Sequence, residues 1–463
     1  MNDKLELFYR GLKDQKVSFI GLGRSHRELL PMFASKGARV SLRDKRTREQ
    51  IGEEAGQLEA LGIRLILGEG YLDNLCEEDM ILRTPGMYYY HPALQEAQRS
   101  GVAVVSEMEL FFDLCPCKIY AVTGSDGKTT TTSVIAEFLK AQGFNVFLGG
   151  NIGLPLLPRI EQIGPEDRAV VELSSFQMIS MRKSPDVAVI TNISPNHLDV
   201  HKDMQEYIDA KRNIYLHQGG LSRTVLNADN EITASFVPQV RGMALQFSRR
   251  TKPALGAYLG EDGVLYMNDR KGTTAVLPMD QIRIPGIHNV ENYLAAISAV
   301  WGEVSRENIV SVAKSFPGVE HRIEFVRELG GVKWYNDSIA SSPTRTIAGL
   351  NSFHQKIILI AGGYDKKIPF EPLAPKIVEK VKALILMGVT APKIEAAVRA
   401  CADFDEQALP IYHVSNMQQA VEKAREIARE GDIVSLSPAC ASFDLYPDFE
   451  ARGRHFKELV NKL

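Results

Sequence analysis

Thr123-Gly124-Ser125-Asp126-Gly127-Lys128-Thr129-Thr130 have the residue types and spacing of a phosphate-binding loop. They follow the β-branched run Lys118–Val122 and lead into a helical pattern over Thr132–Gln142. Strand, glycine loop and helix are the context such a loop requires. Backbone N–H groups and a helix N-terminus can hold phosphate oxygens. Lys128 can neutralise β- and γ-phosphates, and Thr129 can present its hydroxyl to Mg²⁺. The loop is shorter than the usual form, because position 122 is valine. ATP is the nucleotide expected, since no guanine-reading motif accompanies it.

Other polar groups sit where strands are expected to end. Glu172 closes the run Ala169–Leu173, and His197 follows the run Val187–Ile193. Open α/β sheets bind ligands at the carboxyl ends of their strands. Either residue alone would read as a surface loop; together, beside a phosphate loop, they favour a Mg²⁺ role. Lys211 lies in the helical run Gln205–Tyr215, where composition alone describes a solvated lysine. Asn289 and Asn292 share a helix face, where their amides could meet an adenine edge or cap the helix. Nearer the N-terminus, Val17–Ile20 enters Gly21-Leu22-Gly23, and Asp44 ends the next strand. Such an acid can bind a ribose hydroxyl or a base, or be an exposed strand end. His26 stands where the dinucleotide fingerprint has its third glycine.

These groups need parallel strands to hold them. The strands expected are Val17–Ile20, Arg39–Leu42, Lys118–Val122, Ala169–Leu173, Val187–Ile193, Lys356–Ala361, Ala383–Met387 and Ile433–Leu436. Several are apolar throughout, as strands buried on both faces are. Their alternation with helical patterns predicts an α/β protein of parallel sheets covered by helices. Pro116 in Leu114–Cys117 and Pro317-Gly318 in Ser315–Val319 mark boundaries, giving domains 1–114, 115–317 and 318–463. A length of 463 residues suits three domains. Lys plus Arg number 54 and Asp plus Glu 57, a net charge of −3. This removes the electrostatic reason to expect nucleic acid or a membrane surface as partner. Five cysteines, at 76, 115, 117, 401 and 440, fit a reducing compartment rather than a disulfide framework. The N-terminus lacks a signal-peptide apolar region, and no run is long enough to span a membrane, so a cytoplasmic protein is expected.

The ordered set TGSDGKTT, ELSSFQ, NISPNHLD, GIHNVEN, EHRIEFV, NDSIASS and LSPACASFD resembles the Mur ligases. ELSSFQ and SPACASFD look most like the members that add D-glutamate. The resemblance implies a Rossmann-like first domain holding a uridine nucleotide substrate and a central P-loop domain holding ATP and Mg²⁺. It also implies a Rossmann-like last domain holding D-glutamate. ATP would phosphorylate the carboxylate of UDP-N-acetylmuramoyl-L-alanine, and the amine of D-glutamate would displace phosphate. This would be a step of peptidoglycan precursor synthesis, hence of cell-wall biogenesis, cell shape and division, by a protein expected to be a monomer. By resemblance, Gly124, Ser125, Asp126, Gly127, Lys128, Thr129, Thr130, Asn289, Asn292, Arg322 and Asp337 would bind ATP. Thr129, Glu172, His197 and a carbamylated Lys211 would hold Mg²⁺, with Lys128, His197 and Lys211 as the catalytic set. Arg24, Ser25, Asp44, Thr84, Pro85 and Gly86 would meet the uridine end of the substrate. Asn151, Ser174 and Gln177 would meet its diphosphate and sugar. Ser341, Lys366, Ser442 and Phe449 would form the D-glutamate pocket.

Three residues depart from that pattern. His26 replaces a glycine in the uridine loop, Asp126 stands where asparagine is commoner, and Ile339 stands where many members have lysine. Arg345, in the same segment as Ile339, could supply the missing cation. The competing readings are another Mur-type or folylpolyglutamate-type ligase and, from a different class, an NAD-dependent oxidoreductase that uses Gly21-Leu22-Gly23 and Asp44.

Overall fold

The computed structural model describes residues 3–195 and 200–463. Its backbone forms two compact units, one of Met1–Met279 with Glu291–Val312 and one of Asp280–Val290 with Ala313–Leu463.

The first unit contains two parallel sheets. The N-terminal sheet comprises Lys16–Ile20 (β1), Arg39–Asp44 (β2), Arg64–Leu67 (β3), Met80–Arg83 (β4) and Ala103–Val105 (β5). Its order is β3-β2-β1-β4-β5, with every pairing parallel. The central sheet comprises Lys118–Thr123 (β6), Val146–Gly150 (β7), Arg168–Glu172 (β8), Val187–Ile190 (β9), Arg223–Asn227 (β10) and Met243–Phe247 (β11). Its order is β11-β10-β9-β6-β8-β7, again parallel throughout. In each sheet the first strand in sequence lies between two others whose connections leave in opposite directions. That arrangement opens a crevice at its carboxyl end. A small antiparallel sheet follows, of Gly256–Leu259 (β12), Val264–Asp269 (β13) and Gly272–Pro278 (β14). One apolar core runs from Leu5 and Phe33 through Phe111 to Met178, Tyr207 and Tyr215, so the two parallel sheets share buried side chains.

The second unit is built on Glu324–Leu329 (β15), Val332–Asn336 (β16), Ile357–Ala361 (β17), Val381–Leu386 (β18), Ile411–His413 (β19) and Ile433–Leu436 (β20). The order is β15-β16-β20-β17-β18-β19, parallel except for the edge strand β15. β17 is buried along its whole length because apolar clusters cover both sheet faces.

The strands expected from sequence all occur. Two differences matter for the site. The expected strand to Ile193 ends at Ile190, because Thr191 and Asn192 turn to bond the phosphate loop. The helix expected from Thr132 begins at Lys128, because Gly127 delivers the loop straight into it. Strands β3 to β5, β7, β10 to β16 and β19 were not expected. Several are short or half exposed and lack a continuous apolar run. Among the described residues no helix is long and apolar enough to cross a membrane.

Candidate active site

The phosphate loop is held open by its neighbours. Gly124 (φ 150°) and Gly127 (φ 76°) occupy backbone conformations that suit glycine. A Cβ on Gly124 would overlap Thr191 Oγ1, and one on Gly127 would overlap Asn292 Oδ1. Ser125 N donates to Asn192 O (2.9 Å) and Asp126 N to Asn192 Oδ1 (3.0 Å). Thr191 Oγ1 donates to Asp126 O at 2.5 Å. Ser125 Oγ donates to Ser194 O at 3.0 Å and lies 2.9 Å from Tyr207 OH. Lys128 Nζ donates to Ser125 O at 3.0 Å. The Lys128–Ala141 helix has no side-chain cap, so its first N–H groups point toward the loop. Thr129 lies half buried in its first turn, and Thr130 is buried. Asp126 is exposed.

Glu172 ends β8, the strand beside β6, and is 1 % exposed. Its Oε1 accepts from Asn151 Nδ2 at 2.7 Å, while Oε2 is buried with no hydrogen-bond partner among the described residues. A buried carboxylate oxygen without a donor suits a cation. Lys211 is 2 % exposed, and its Nζ donates to Thr123 Oγ1 (3.1 Å) and Gly124 O (2.9 Å). Burial pushes its ammonium well below the ordinary lysine range. The Lys128 charge adds to this, and Glu172 and Asp126 oppose it. The solvated-lysine reading of position 211 is therefore corrected. The Thr129 hydroxyl and the Glu172 carboxylate are oxygen groups of the kind Mg²⁺ takes, and the Lys128 and Lys211 nitrogens suit a phosphate rather than the metal. His197 lies outside the described residues.

Short motifs explain the adjoining groups. Ser174 caps the Ser175–Met178 helix, and Gln177 closes the reciprocal box by accepting from Ser174 N and Oγ, both at 2.9 Å. This fixes Gln177 Oε1 and leaves its NH₂ for other partners. Asn151 is exposed and follows the β7 glycines directly.

In the N-terminal sheet, Asp44 is buried rather than an exposed strand end. Its carboxylate accepts from Leu22 N (2.8 Å) and from Arg46 N, Nε and Nη2 (2.9, 3.0 and 2.7 Å). Burial raises its pKa, but the Arg46 and Leu22 hydrogen bonds outweigh this and bring it to about 2. His26 is 1 % exposed, with Nδ1 2.7 Å from Gly21 O and its ring edge-on to Phe19. Burial lowers its pKa to about 4, so the ring is neutral and Nδ1–H donates to Gly21 O. Thr84 packs on the glycine turn, 3.2 Å from where a Gly21 Cβ would stand. Arg24 is exposed at the adjoining helix start, Ser25 is half buried beside it, and Pro85 and Gly86 continue the turn.

In the second unit, Asp337 follows β16. It accepts from Ser437 Oγ (2.8 Å) and Ile323 N (3.3 Å). Burial pushes its pKa up to about 7, against hydrogen bonding and the Arg322 and Arg345 charges. Arg345 Nη1 donates to Ile339 O at 3.2 Å. A cation thus stands near position 339. Asn289 Nδ2 donates to Pro285 O at 2.5 Å, a helix-start contact. Asn292 Oδ1 instead accepts from Thr131 Oγ1 at 3.2 Å, beside the phosphate loop in the first unit. Lys366 Nζ is 3.5 Å from Ser341 O, Ser442 is buried, and Phe449 is edge-on to His321. Arg452, missed in the sequence, ties these segments. Its guanidinium donates to Ser338 O (2.8 Å), Cys440 O (3.1 Å) and Ala441 O (3.1 Å). Thr123, Thr191, Asn192 and Tyr207 were also missed. Polar residues at strand ends and a tyrosine four residues before Lys211 were the available signals. Cys115 and Cys117 are free thiols 3.5 Å apart at sulfur, and all five cysteines are free.

Comparisons with known proteins agree with this geometry. Three family models match: a Mur ligase MurD-like N-terminal domain over residues 15–106, a Mur ligase middle domain over 122–300, and a Mur ligase glutamate ligase domain over 321–440. The chain is 52 % identical over 465 residues to UDP-N-acetylmuramoylalanine–D-glutamate ligase of Acetivibrio thermocellus, covering 100 % of both. It is 48 % identical over 463 residues to the protein of the same name from Clostridium kluyveri, again covering 100 % of both. In fold it is similar to UDP-N-acetylmuramate-alanine ligase of Thermotoga maritima (TM-score 0.58, 18 % identity, 97 % and 99 % of the two chains). It is also similar to a pseudomurein peptide ligase type C of Methanothermus fervidus (TM-score 0.54, 19 % identity, 97 % and 100 %). The chain belongs to the Mur ligase family, with that family's three-domain α/β architecture. The oxidoreductase reading of the N-terminal glycine turn is not favoured.

Proposed function

We propose that this chain joins D-glutamate to UDP-N-acetylmuramoyl-L-alanine with ATP as co-substrate, in the cytoplasm, as a step of peptidoglycan precursor synthesis. The observation that carries the reading is the unused Glu172 Oε2, buried beside the open phosphate loop. The full-length similarity to D-glutamate ligases supports the choice of substrates.

The division of labour follows 1–114, 115–317 and 318–463. A carboxylate is a poor electrophile; transfer of the γ-phosphoryl group from ATP makes it an acyl phosphate and releases ADP, and attack by the D-glutamate amine then forms the amide and releases phosphate. The loop amides of Gly124 to Thr130 and the Lys128 ammonium bind the nucleotide phosphates and offset charge that develops during transfer. Bound Mg²⁺ supplies further positive charge to that phosphoryl group. Thr129 and Glu172 would hold one ion, and His197 with Lys211 a second. Burial favours the neutral amine of Lys211. That amine can add CO₂, lose a proton and become a carbamate, an anion that a cation can satisfy, while its remaining N–H can still donate to Thr123 Oγ1 or Gly124 O. Asn289, Asn292, Arg322 and Asp337 would orient the nucleoside. Arg24, Ser25, Asp44 and the Thr84-Pro85-Gly86 turn would receive the uridine end, with Asn151, Ser174 and Gln177 along the diphosphate and sugar. Lys366, Ser341 and Ser442 would pair with the D-glutamate carboxylates, and Phe449 would wall the pocket.

Phosphate release measured with UDP-N-acetylmuramoyl-L-alanine, ATP, Mg²⁺ and either enantiomer of glutamate tests the reading. Release is expected with D-glutamate alone. No release with D-glutamate, or equal release with L-glutamate, overturns it.

A further inference from the structure

Arg83, the last residue of β4, is 1 % exposed. Its Nη1 donates to Met87 O at 3.2 Å. Its Nη2 donates to Phe176 O at 3.1 Å and to Ser180 Oγ at 2.7 Å. Nε is buried without a hydrogen-bond partner among the described residues, and the guanidinium carbon lies 5.4 Å from the centre of the Tyr89 ring. Ser180 passes the contact on, donating to Glu109 Oε2 at 2.8 Å. Glu109 also accepts from Ser106 N (2.9 Å) and Ser106 Oγ (2.8 Å), which locks it at its helix start. The direct partners of the guanidinium are therefore two carbonyls and a hydroxyl, with the compensating carboxylate one hydroxyl away. Burial lowers the Arg83 pKa against the attraction of Glu109, yet arginine keeps its proton in proteins.

The location of those partners is informative. Met87 N donates to Thr84 O at 3.0 Å, so Met87 closes the Thr84-Pro85-Gly86 turn. Phe176 lies inside the helix that Ser174 and Gln177 cap. One planar fork thus spans the turn assigned to the uridine end of the substrate and the segment assigned to its diphosphate and sugar. A fork with fixed angles holds two backbone segments at a set separation, which a flexible ammonium cannot do. A substrate that must touch both segments benefits when that separation is set before it arrives.

We propose that Arg83 is a positioning residue for the uridine nucleotide substrate, setting the spacing between the Thr84–Met87 turn and the Ser174–Gln177 segment. This rests on the substrate assignment made above. The wild-type assay with both glutamate enantiomers tests that assignment by itself, before any variant is made.

The test is full steady-state kinetics on Arg83→Met, Arg83→Lys and the milder Ser180→Ala. The expected result is a rise of about tenfold or more in KM for UDP-N-acetylmuramoyl-L-alanine in Arg83→Met, with KM for ATP and D-glutamate within about twofold of wild type. Arg83→Lys and Ser180→Ala should show smaller rises in the same constant. A further variant, Arg83→Ala, should show the same KM rise and recover part of it when methylguanidinium is added. A merely structural strut would lower Tm and the active fraction while leaving all three KM values in place. That outcome, or an equal rise in all three, overturns the proposal. If the Arg83 variants fail to fold, Ser180→Ala decides by the same split.

Discussion

Two strand-end carboxylates stand beside two glycine turns in the first unit, and they have opposite fates. Asp44 borders the Gly21-Leu22-Gly23 turn, and both of its oxygens are taken by Leu22 N and Arg46. Glu172 borders the Gly124–Gly127 loop, and one of its oxygens is buried with no donor among the described residues. Both sites read strand–glycine–helix, and both helices begin without a side-chain cap. What differs is whether a cation of the chain hydrogen-bonds the acid. Arg46 does so at Asp44, and the acid is held in the turn's framework. At Glu172 no cation among the described residues does, although Lys211 lies within its field, and Oε2 is left for a cation that arrives. A motif of strand, glycine turn and helix therefore marks a place for a ligand, and the saturation of the nearby acid shows which role the acid has.

The sharpest way to break that contrast is at the second turn. Lys128→Ala and Glu172→Gln should each lower kcat by about a thousandfold, as removal of a group facing developing charge does. Phosphate release under saturating substrates checks this, and near-normal turnover in Glu172→Gln would end the claim that its free oxygen matters. Next in size is Lys211→Ala. It should be nearly inactive and partly restored by short carboxylic acids, which can take the place of a carbamate. Full activity without additives would exclude that role.

At the first turn, Asp44→Asn should cost the fold about 2 kcal/mol because Arg46 loses a buried charged partner, and should raise KM for the uridine nucleotide substrate while kcat stays near wild type. Denaturant unfolding measures the cost, and a kcat loss as large as that of Glu172→Gln would erase the distinction. The Asp44 pKa is depressed, so its contribution is present above the unfolded value near 4 and is lost as pH falls through about 2. Arg345→Ala should raise KM for one substrate severalfold if that arginine serves for the absent lysine at 339. Unchanged kinetics would remove the idea.

A third carboxylate gives the smallest effect and the finest test of the cation argument. Glu107 is buried and accepts from Leu156 N and Leu157 N, both at 3.1 Å. Burial pushes its pKa up to about 7 against those two amides. A raised acid pKa favours the folded state at low pH, and the advantage is lost as pH rises through about 7. Glu107→Gln should therefore gain Tm relative to wild type as pH goes from 6 to 8. A gain that shrinks over that range would contradict the assignment.

The sequence by itself determined the parallel α/β architecture, because strands buried on both faces must be apolar throughout. It also determined the phosphate loop, because glycines at 124 and 127 with Lys128 and Thr129 leave few other uses for that spacing. It named Glu172 and Lys211, although composition alone made Lys211 a solvated residue and only the resemblance gave it a role. The tertiary structure buried that lysine against Thr123 and Gly124, and burial is what shifts its charge. Asp44 and His26 were legible as strand end and glycine substitute, yet the bond of Asp44 to Leu22 depends on how β1 and β2 pair, and the burial of His26 depends on packing against Phe19. Arg83 and Arg452 were silent in the sequence. Each contacts a backbone carbonyl far away in the chain, Phe176 O for Arg83 and Ser338 O for Arg452, and a carbonyl leaves no mark in residue identity. Local spacing fixes which groups can do chemistry; only the packed fold decides which of them keep a free atom to do it with.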